Sequence, residues 1–162
     1  MRDFVFSYPV KVYFGTDAAR KAISQEMGKY GKTVMVAYGG GSVIDCCKII
    51  SAQAKTEKDI WEMEFTEHVF PADFVPMGAV VTAAGTGAEM NNGAVITHEE
   101  KKIKTGVLGA IASFAVLEPE HMATLPAKQV VSGAFDTLSH CMETYCKKLT
   151  RDEIFEILME CR

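Results

Sequence analysis

The sequence contains no apolar run long enough to cross a bilayer and no N-terminal signal of the secretory type, because residues 1–3 lead into a mixed segment. It also has no excess of basic residues: 17 Lys and Arg stand against 21 Asp and Glu, a formal net charge of -4. The longest basic cluster, at 101–104, directly follows two glutamates. A membrane protein and a nucleic-acid binder are therefore not expected, and the sequence predicts a cytoplasmic protein.

The cysteines lack the CxxC spacing of a zinc ribbon and the even number typical of a disulfide framework. There are five of them, at positions 46, 47, 141, 146 and 161. The first two are neighbours on a helix that should be buried, so we expect reduced thiols in apolar surroundings.

The chain has 162 residues, 48% of them hydrophobic and 23% charged, so it can bury one substantial core. One domain plus part of a second is the expected organisation. Residues 4–6 and 10–14 are short extended segments, and Pro9 between them favours a hairpin at the edge of a sheet. A helix capped by Thr16 or Asp17 is expected next.

The central pattern is an apolar run, residues 33–38, that stops at Gly39-Gly40-Gly41-Ser42 and is followed by apolar residues at helical spacing. This predicts a buried strand, a glycine turn and a helix that Ser42 caps. Glycines let a ligand approach the amides at the positive end of the helix, where phosphate binds well. The alternative is a tight corner without a ligand, since the segment is neither a Walker A loop nor GxGxxG.

A second buried strand is predicted at 77–84, and it also ends at a glycine turn, residues 85–91. Both turns would then lie at the carboxyl edge of one parallel sheet, where open α/β sheets bind ligands. Thr82 and Thr86 either bind ribose or phosphate oxygens or cap the turn. Residues 95–97 and 104–108 predict a hairpin, 114–117 a last strand, and 55–70 an irregular connection.

From Pro126 the pattern becomes helical, with Thr124 as the expected cap, and a helical second domain is predicted to begin here. Asp136 and His140 are four residues apart, which places both on one face of the helix, with Glu143 nearby. The pair is either the beginning of a metal site or a simple ion pair. A final apolar stripe at 154, 157, 158 and 161 predicts a short amphipathic helix.

Three stretches together carry a resemblance to a known family: GGGSVIDCCK at 39–48, TAAGTGAEMN at 82–91 and LPAKQVVSGAFDTLSHCMETY at 125–145. In this combination and order they resemble the iron-containing (group III) alcohol dehydrogenases, most closely the butanol dehydrogenase-like branch. Residues 8–15 also resemble that family's N-terminal hairpin. The resemblance implies an α/β fold with a Rossmann-like dinucleotide-binding domain at 1–124. The start of an all-helical metal-binding domain would follow at 125–162, together an incomplete dehydroquinate synthase-like fold.

The resemblance also assigns roles to residues of this sequence. It implies that the cofactor is bound by the residues of the two glycine turns and one lysine, namely Gly40, Gly41, Ser42, Asp45, Thr82, Thr86 and Lys104. Asp136 and His140 would be the first two metal ligands, and no catalytic side chain beyond the metal site is implied. The implied cofactors are NAD(P), with NADPH favoured by the branch, and Fe²⁺, with Zn²⁺ or another divalent metal as alternatives. The implied reaction is reversible hydride transfer between a primary alcohol or aldehyde and NAD(P), assisted by the metal as a Lewis acid.

The sequence departs from the family pattern in ways that bear on activity. Family members have two GGGS turns separated by further elements, whereas residues 32–39 resemble the first turn and 42–46 the second, with the intervening elements gone. Family members also complete the metal site with two histidines on later helices, which we expect to be missing here. Ala88 stands where serine is usual.

Two hypotheses about function follow from these departures. One is an enzyme, as a homodimer or completed by a full-length relative, with impaired activity. The other is a noncatalytic remnant or a nucleotide-binding partner subunit of a full-length alcohol dehydrogenase.

Overall fold

The computed structural model describes residues 9–147, together with 150 and 153. Six strands and four α-helices occur in this part of the chain, joined by short 3₁₀ turns. In chain order they are β1 (Lys11–Phe14), α1 (Ala18–Glu26), β2 (Met35–Gly39), α2 (Gly41–Gln53), α3 (Ile60–Glu62), β3 (Met77–Val81), β4 (Gly93–His98), β5 (Ile103–Leu108), β6 (Phe114–Leu117) and α4 (Ala127–Cys146).

Four strands form a parallel sheet in the order β1-β6-β3-β2. The central strand β3 is buried along its whole length, and its Gly78 lies against the ring of Phe114 on β6. Because β2 and β3 are parallel neighbours, the two glycine turns that follow them lie at the same carboxyl edge of the sheet, as the sequence predicts. The predicted hairpin is confirmed as the antiparallel pair β4 and β5.

Helices cover both faces of the sheet. On one face, Ile44 of α2 packs on Ala37, Ala79 and other small residues of the strands. On the other, Ala18 and Ala22 of α1 pack on neighbouring valines of β3 and β6. This two-sided burial explains why the strands consist of apolar runs without polar alternation.

Burial at β2 and α2 differs from the sequence prediction. β2 is an edge strand, and the side chains of Val36 and Tyr38 are exposed on the sheet face that α1 covers only at β3 and β6. The buried face of α2 is formed by Ile44, Lys48, Ser51 and Ala52, so the expected burial of Cys46 on this helix is wrong. The described cysteines are all free, as predicted, but those at 46 and 141 are exposed.

The predicted side-chain caps are not formed, although Asp17 is the N-cap residue of α1. Neither Thr16 nor Asp17 caps α1 with its side chain; instead the carboxylate of Glu118 accepts hydrogen bonds from the backbone N–H groups of Asp17 (3.1 Å) and Ala19 (3.0 Å). Ser42 lies within the first turn of α2, whose N-cap is Gly40. Thr124 likewise precedes the N-cap of α4, which is Pro126 without a side-chain hydrogen bond.

The segment between Lys55 and Phe70 is more regular than predicted. It contains α3, followed by one turn of π-helix at Met63–Glu67. The carboxylate of Asp59 accepts a hydrogen bond from the N–H of Glu62 at 3.1 Å and so caps α3. This cap is the sequence signal that identifies the helix.

Helix α4 has the predicted periodicity but buries none of its residues in the described part of the chain. Its apolar side chains are exposed, among them Phe135 and Tyr145. The extended segment at 4–6 and the apolar stripe at 154–161 lie outside the described residues. None of the helices in the described part of the chain is both long and apolar enough to cross a membrane.

Candidate functional site

A cavity of about 520 Å³ lies at the carboxyl edge of the sheet, where the two glycine turns meet. The turn and first helical residues after β2, the turn after β3, the β4–β5 hairpin and α4 all contribute to its wall. Six of the residues singled out from the sequence line it: Gly41, Ser42, Asp45, Thr86, Lys104 and Asp136. The sequence therefore identified residues that the fold brings together from four separate elements.

The N-terminus of α2 forms one wall of this cavity. No side chain caps the amides of its first turn, since the N-cap is Gly40. A Cβ atom on Gly41 would meet only Thr86 Oγ1 at 3.8 Å and Ala88 Cβ at 3.9 Å, so the backbone at Gly41 is open to a ligand. Uncapped amides at the positive end of a helix bind anions, phosphate above all.

Asp45 lines the same cavity and is held by two partners. One carboxylate oxygen accepts a hydrogen bond from the N–H of Val95 on β4 at 3.0 Å, and the other lies 3.4 Å from Nζ of Lys48. These contacts attach the hairpin to α2. Asp45 therefore fixes the cavity wall that also carries Lys104, which is exposed on β5.

Lys48 is fully buried, and sequence reasoning missed it. Its Nζ donates to the carbonyl oxygen of Gly93 at 2.6 Å and to Oδ1 of Asn91 at 3.1 Å. Burial lowers the pKa of this ammonium, and the neighbouring Asp45 opposes that shift. The signal was its position, four residues after Ile44 on the buried face of α2.

Two predicted cofactor residues do not line the cavity. Thr82 is half-buried, and its N–H donates to the carbonyl oxygen of Gly39 at 3.1 Å, which extends the β2–β3 ladder. Gly40 accepts the first hydrogen bonds of α2, from the N–H groups of Val43 and Ile44 (both 3.1 Å). Both residues lie in the glycine turns, next to the residues that line the cavity, but they do not line it themselves.

Asp136 and His140 share one face of α4, as predicted, with Oδ1 and Nε2 3.8 Å apart. Oε2 of Glu143 lies 3.8 Å from Nδ1, the other ring nitrogen of His140. Oε1 of Glu143 lies 2.8 Å from Nζ of Lys147. All four side chains are about half-exposed or more. Within residues 9–147, 150 and 153, no group of three or more His, Cys, Asp or Glu side chains could hold a metal ion.

Helix α4 packs directly on the second glycine turn. Gly133 lies so close that a Cβ there would be 2.4 Å from the carbonyl oxygen of Ala84. The hydroxyl of Thr137 donates to the carbonyl oxygen of Gly85 at 3.0 Å, and Oδ2 of Asp136 lies 3.1 Å from where a Cβ on Gly85 would be. This contact places Asp136 at the rim of the cavity, whereas His140 faces the adjoining hollow beside Thr86 and Gly87.

Comparison with known proteins identifies the family of the chain. The family described as "Iron-containing alcohol dehydrogenase" matches residues 9–119. The chain belongs to the iron-containing alcohol dehydrogenase family. The matched segment contains both glycine turns and the hairpin, and it ends before α4.

Relatives in this family are longer proteins than this chain. The chain is 42% identical over 113 residues to the "Probable NADH-dependent butanol dehydrogenase 1" of Bacillus subtilis, which covers 68% of this chain and 29% of that protein. It is 38% identical over 120 residues to the "NADPH-dependent aldehyde reductase YqhD" of Escherichia coli, covering 72% and 31%. The chain thus spans about three-tenths of the length of these relatives.

The fold is likewise shared with solved structures. The NADH-dependent butanol dehydrogenase A of Thermotoga maritima superposes with a TM-score of 0.70 at 27% sequence identity, over 88% of this chain and 51% of that one. The family resemblance and the Rossmann-like α/β fold predicted from the sequence are therefore confirmed. The predicted cytoplasmic location stays a prediction.

Proposed function

We propose that the chain binds a nicotinamide dinucleotide in the cavity at the carboxyl edge of the sheet and belongs to an oxidoreductase. The reaction would be reversible hydride transfer between a primary alcohol and its aldehyde. The observation that carries the proposal is the convergence of the uncapped α2 N-terminus, Thr86 and Lys104 on one cavity. Family membership supports the same assignment.

The residues of the cavity suit the chemical groups of a dinucleotide. The free N–H groups of Gly41 and Ser42 are placed to donate hydrogen bonds to a pyrophosphate, and the cation of Lys104 would add attraction for ribose or phosphate oxygens. The hydroxyl of Thr86 can bind on the opposite side. In this proposal residues 1–124 form the nucleotide-binding domain and 125–162 begin a helical domain.

The bound nicotinamide ring would supply the hydride acceptor or donor. The side chains of this chain bind and orient it, and the glycine turns allow close approach of the backbone. Relatives carry both NADH and NADPH in their names, so both cofactors belong in the test, with NADPH favoured by the branch that the sequence resembles.

A resident metal fits the described residues only in part. Asp136 and His140 suit Fe²⁺, Zn²⁺ or another divalent ion, but they provide two ligands where a tightly bound metal needs three or more. No chemical step is therefore assigned to a metal held by these residues alone. Further ligands would have to come from outside the described residues.

The presence of only two candidate ligands in the described part of the chain favours a second candidate function. The chain would then be a nucleotide-binding partner subunit without activity of its own. The exposed apolar face of α4 supports this alternative, because such a face is normally covered by a neighbouring element.

Dinucleotide binding tests the shared part of both candidates. We expect NADPH or NADH fluorescence to change on titration with the folded chain. Gly41→Val should lower affinity at least tenfold, because its branched side chain enters the cavity. Gly28→Val is the matched control, since Gly28 lies outside the cavity and a Cβ there has no neighbour within 4 Å.

Turnover then separates the two candidates. Oxidation of NADPH by butyraldehyde is measured anaerobically, with and without Fe²⁺ or Zn²⁺. Metal-dependent turnover lost in both Asp136→Ala and His140→Ala supports the enzyme, and binding without turnover supports the partner subunit. Folded protein that binds neither dinucleotide contradicts both.

A further inference from the structure

The outer edge of β2 is open in the described part of the chain. β2 is the terminal strand of the sheet, and β3 is its only neighbour there. The N–H of Met35 donates to Pro76 (2.9 Å) and the carbonyl oxygen of Gly39 accepts from Thr82 (3.1 Å), both on the β3 side. Because these groups alternate along a strand, the N–H and C=O groups of the residues at 36 and 38 point outward.

This edge has none of the features that normally prevent strands from pairing. No charged residue occurs between Thr33 and Ile44. Val36 is 39% exposed and Tyr38 is 58% exposed, and the hydroxyl of Tyr38 lies 3.2 Å from Nδ1 of His121. Open edges of natural sheets usually carry lysine, proline or a bulge. An apolar, uncharged edge of this kind is typical of a surface that pairs with another strand.

The neighbouring helix continues the apolar surface. Val43 stands directly over the end of β2, because a Cβ on Gly39 would be 2.6 Å from its Cβ. Val43 is 46% exposed, and Ile50, two turns further along α2, is 49% exposed. Cys46 lies between them and is also exposed. The open strand is therefore flanked by an exposed apolar stripe.

We propose that the outer edge of β2 binds a second copy of the same chain, with the two β2 strands antiparallel and the register centred on Ala37. In this register Val36 lies opposite Tyr38 of the second copy, and the reverse pair is identical. Both pairs then exchange N–H and C=O groups, which gives four main-chain hydrogen bonds. Two four-stranded sheets would become one continuous sheet.

The sequence of β2 is complementary to itself in this register. On the sheet face that carries Val36 and Tyr38, a β-branched side chain lies opposite an aromatic one, which is a favourable cross-strand pair. On the other face, the large Met35 lies opposite Gly39, and Ala37 lies opposite its own copy. Such a contact has two-fold symmetry and closes after two copies. The two-fold axis is perpendicular to the sheet, so the two α2 helices lie on the same face.

Sedimentation of the full chain over a range of concentrations tests the dimer. We expect a reversible dimer whose dissociation constant rises at least tenfold in Val36→Lys, because each dimer would contain two lysines at the paired edge. Val12→Lys is the matched control: Val12 is 41% exposed on β1, the edge strand at the opposite side of the sheet. This variant should dimerise like the wild type.

Amide hydrogen exchange of the wild type gives a second readout that needs no variant. Exchange at Val36 and Tyr38 should slow at least tenfold as concentration rises, whereas Met35, Ala37 and Gly39 should not change, since they already bond to β3. A monomer at all concentrations would overturn the proposal. Loss of the dimer in Val12→Lys but not in Val36→Lys would also overturn it.

Discussion

Glu26, at the end of α1, provides the sharpest test of the energetics of this fold. Its side chain is 1% exposed and accepts hydrogen bonds from Nζ of Lys11 (2.9 Å), Nζ of Lys29 (2.8 Å) and the hydroxyls of Tyr13 and Tyr30. The carboxylate thus joins β1, α1 and the 3₁₀ turn after α1. We expect Glu26→Gln to destabilise the protein substantially, because an amide NH₂ would face donors.

The size of the expected stability loss depends on how exposed the partners of Glu26 are. Removing one partner of a fully buried ion pair costs about 3–5 kcal/mol. Lys11 and Lys29 are 54% and 52% exposed and can be rehydrated, so the expected loss for Glu26→Gln is about 2–3 kcal/mol. Glu67→Gln is the matched control. Its partner Lys58 lies 2.6 Å away, but both side chains are exposed, so the expected loss is below about 1 kcal/mol.

The effect of Glu26 should depend on pH in a defined direction. Hydrogen bonds from Lys29, Tyr13 and Lys11 hold the pKa of the Glu26 carboxyl well below its usual range. A carboxyl whose pKa is lowered by folding stabilises the protein above its unfolded pKa, about 4.3, and this contribution is lost as pH falls toward the folded pKa. The difference in the free energy of unfolding between wild type and Glu26→Gln should therefore be constant near neutral pH and become smaller below about pH 5.

Urea denaturation followed by circular dichroism measures both effects, provided that the variants keep the same m-value. Equal losses of stability in Glu26→Gln and Glu67→Gln would contradict the role assigned to the buried carboxylate. A difference in unfolding free energy between wild type and Glu26→Gln that stays constant down to pH 3 would contradict its lowered pKa.

Two further predictions concern the interior. Gly78→Ala should lower the free energy of unfolding, measured by urea denaturation, by about 1–3 kcal/mol, because its Cβ would lie 2.2 Å from the buried Phe114 ring. Gly106→Ala is the control: a Cβ there has no neighbour within 4 Å, so the unfolding free energy should change by about 0.5 kcal/mol or less. Lys48→Met should cost about 2–3 kcal/mol in the same assay, because it leaves buried acceptors unpaired, and the exposed Lys55→Met should be nearly neutral. Equal effects of target and control in either pair would contradict the corresponding contact.

Much of the sheet and the cavity could be predicted because the signals are local. Each of the strands β2 and β3 is an apolar run that ends at glycines, and parallel pairing brings the two turns to one edge without further information. The spacing of Asp136 and His140 fixes their common face in the same way, since helix geometry alone determines it. The roles assigned to the individual residues stay predictions.

The errors arose where long-range contacts override local preference. Asp17 is a good capping residue by type, but Glu118, 101 residues away, binds the amides of α1. Burial of Val36 was expected from its apolar run, yet β2 is an edge strand, and strand order cannot be read from composition. Lys48 and Glu26 were overlooked because charged residues are rarely buried, and part of what satisfies each of them is distant in sequence: Asn91 and Gly93 for Lys48, Lys11 and Tyr13 for Glu26.

The cavity and the open edge of β2 are distinct surfaces that meet only at the turn into α2. The cavity lies at the ends of the strands, whereas the edge extends along the length of the outermost strand, so a second copy paired there would leave the cavity accessible. Val36→Lys should therefore weaken the dimer without changing dinucleotide affinity, and Gly41→Val should do the reverse. If Val36→Lys also abolished dinucleotide binding, the two surfaces would be coupled through that turn, and their independence would be wrong.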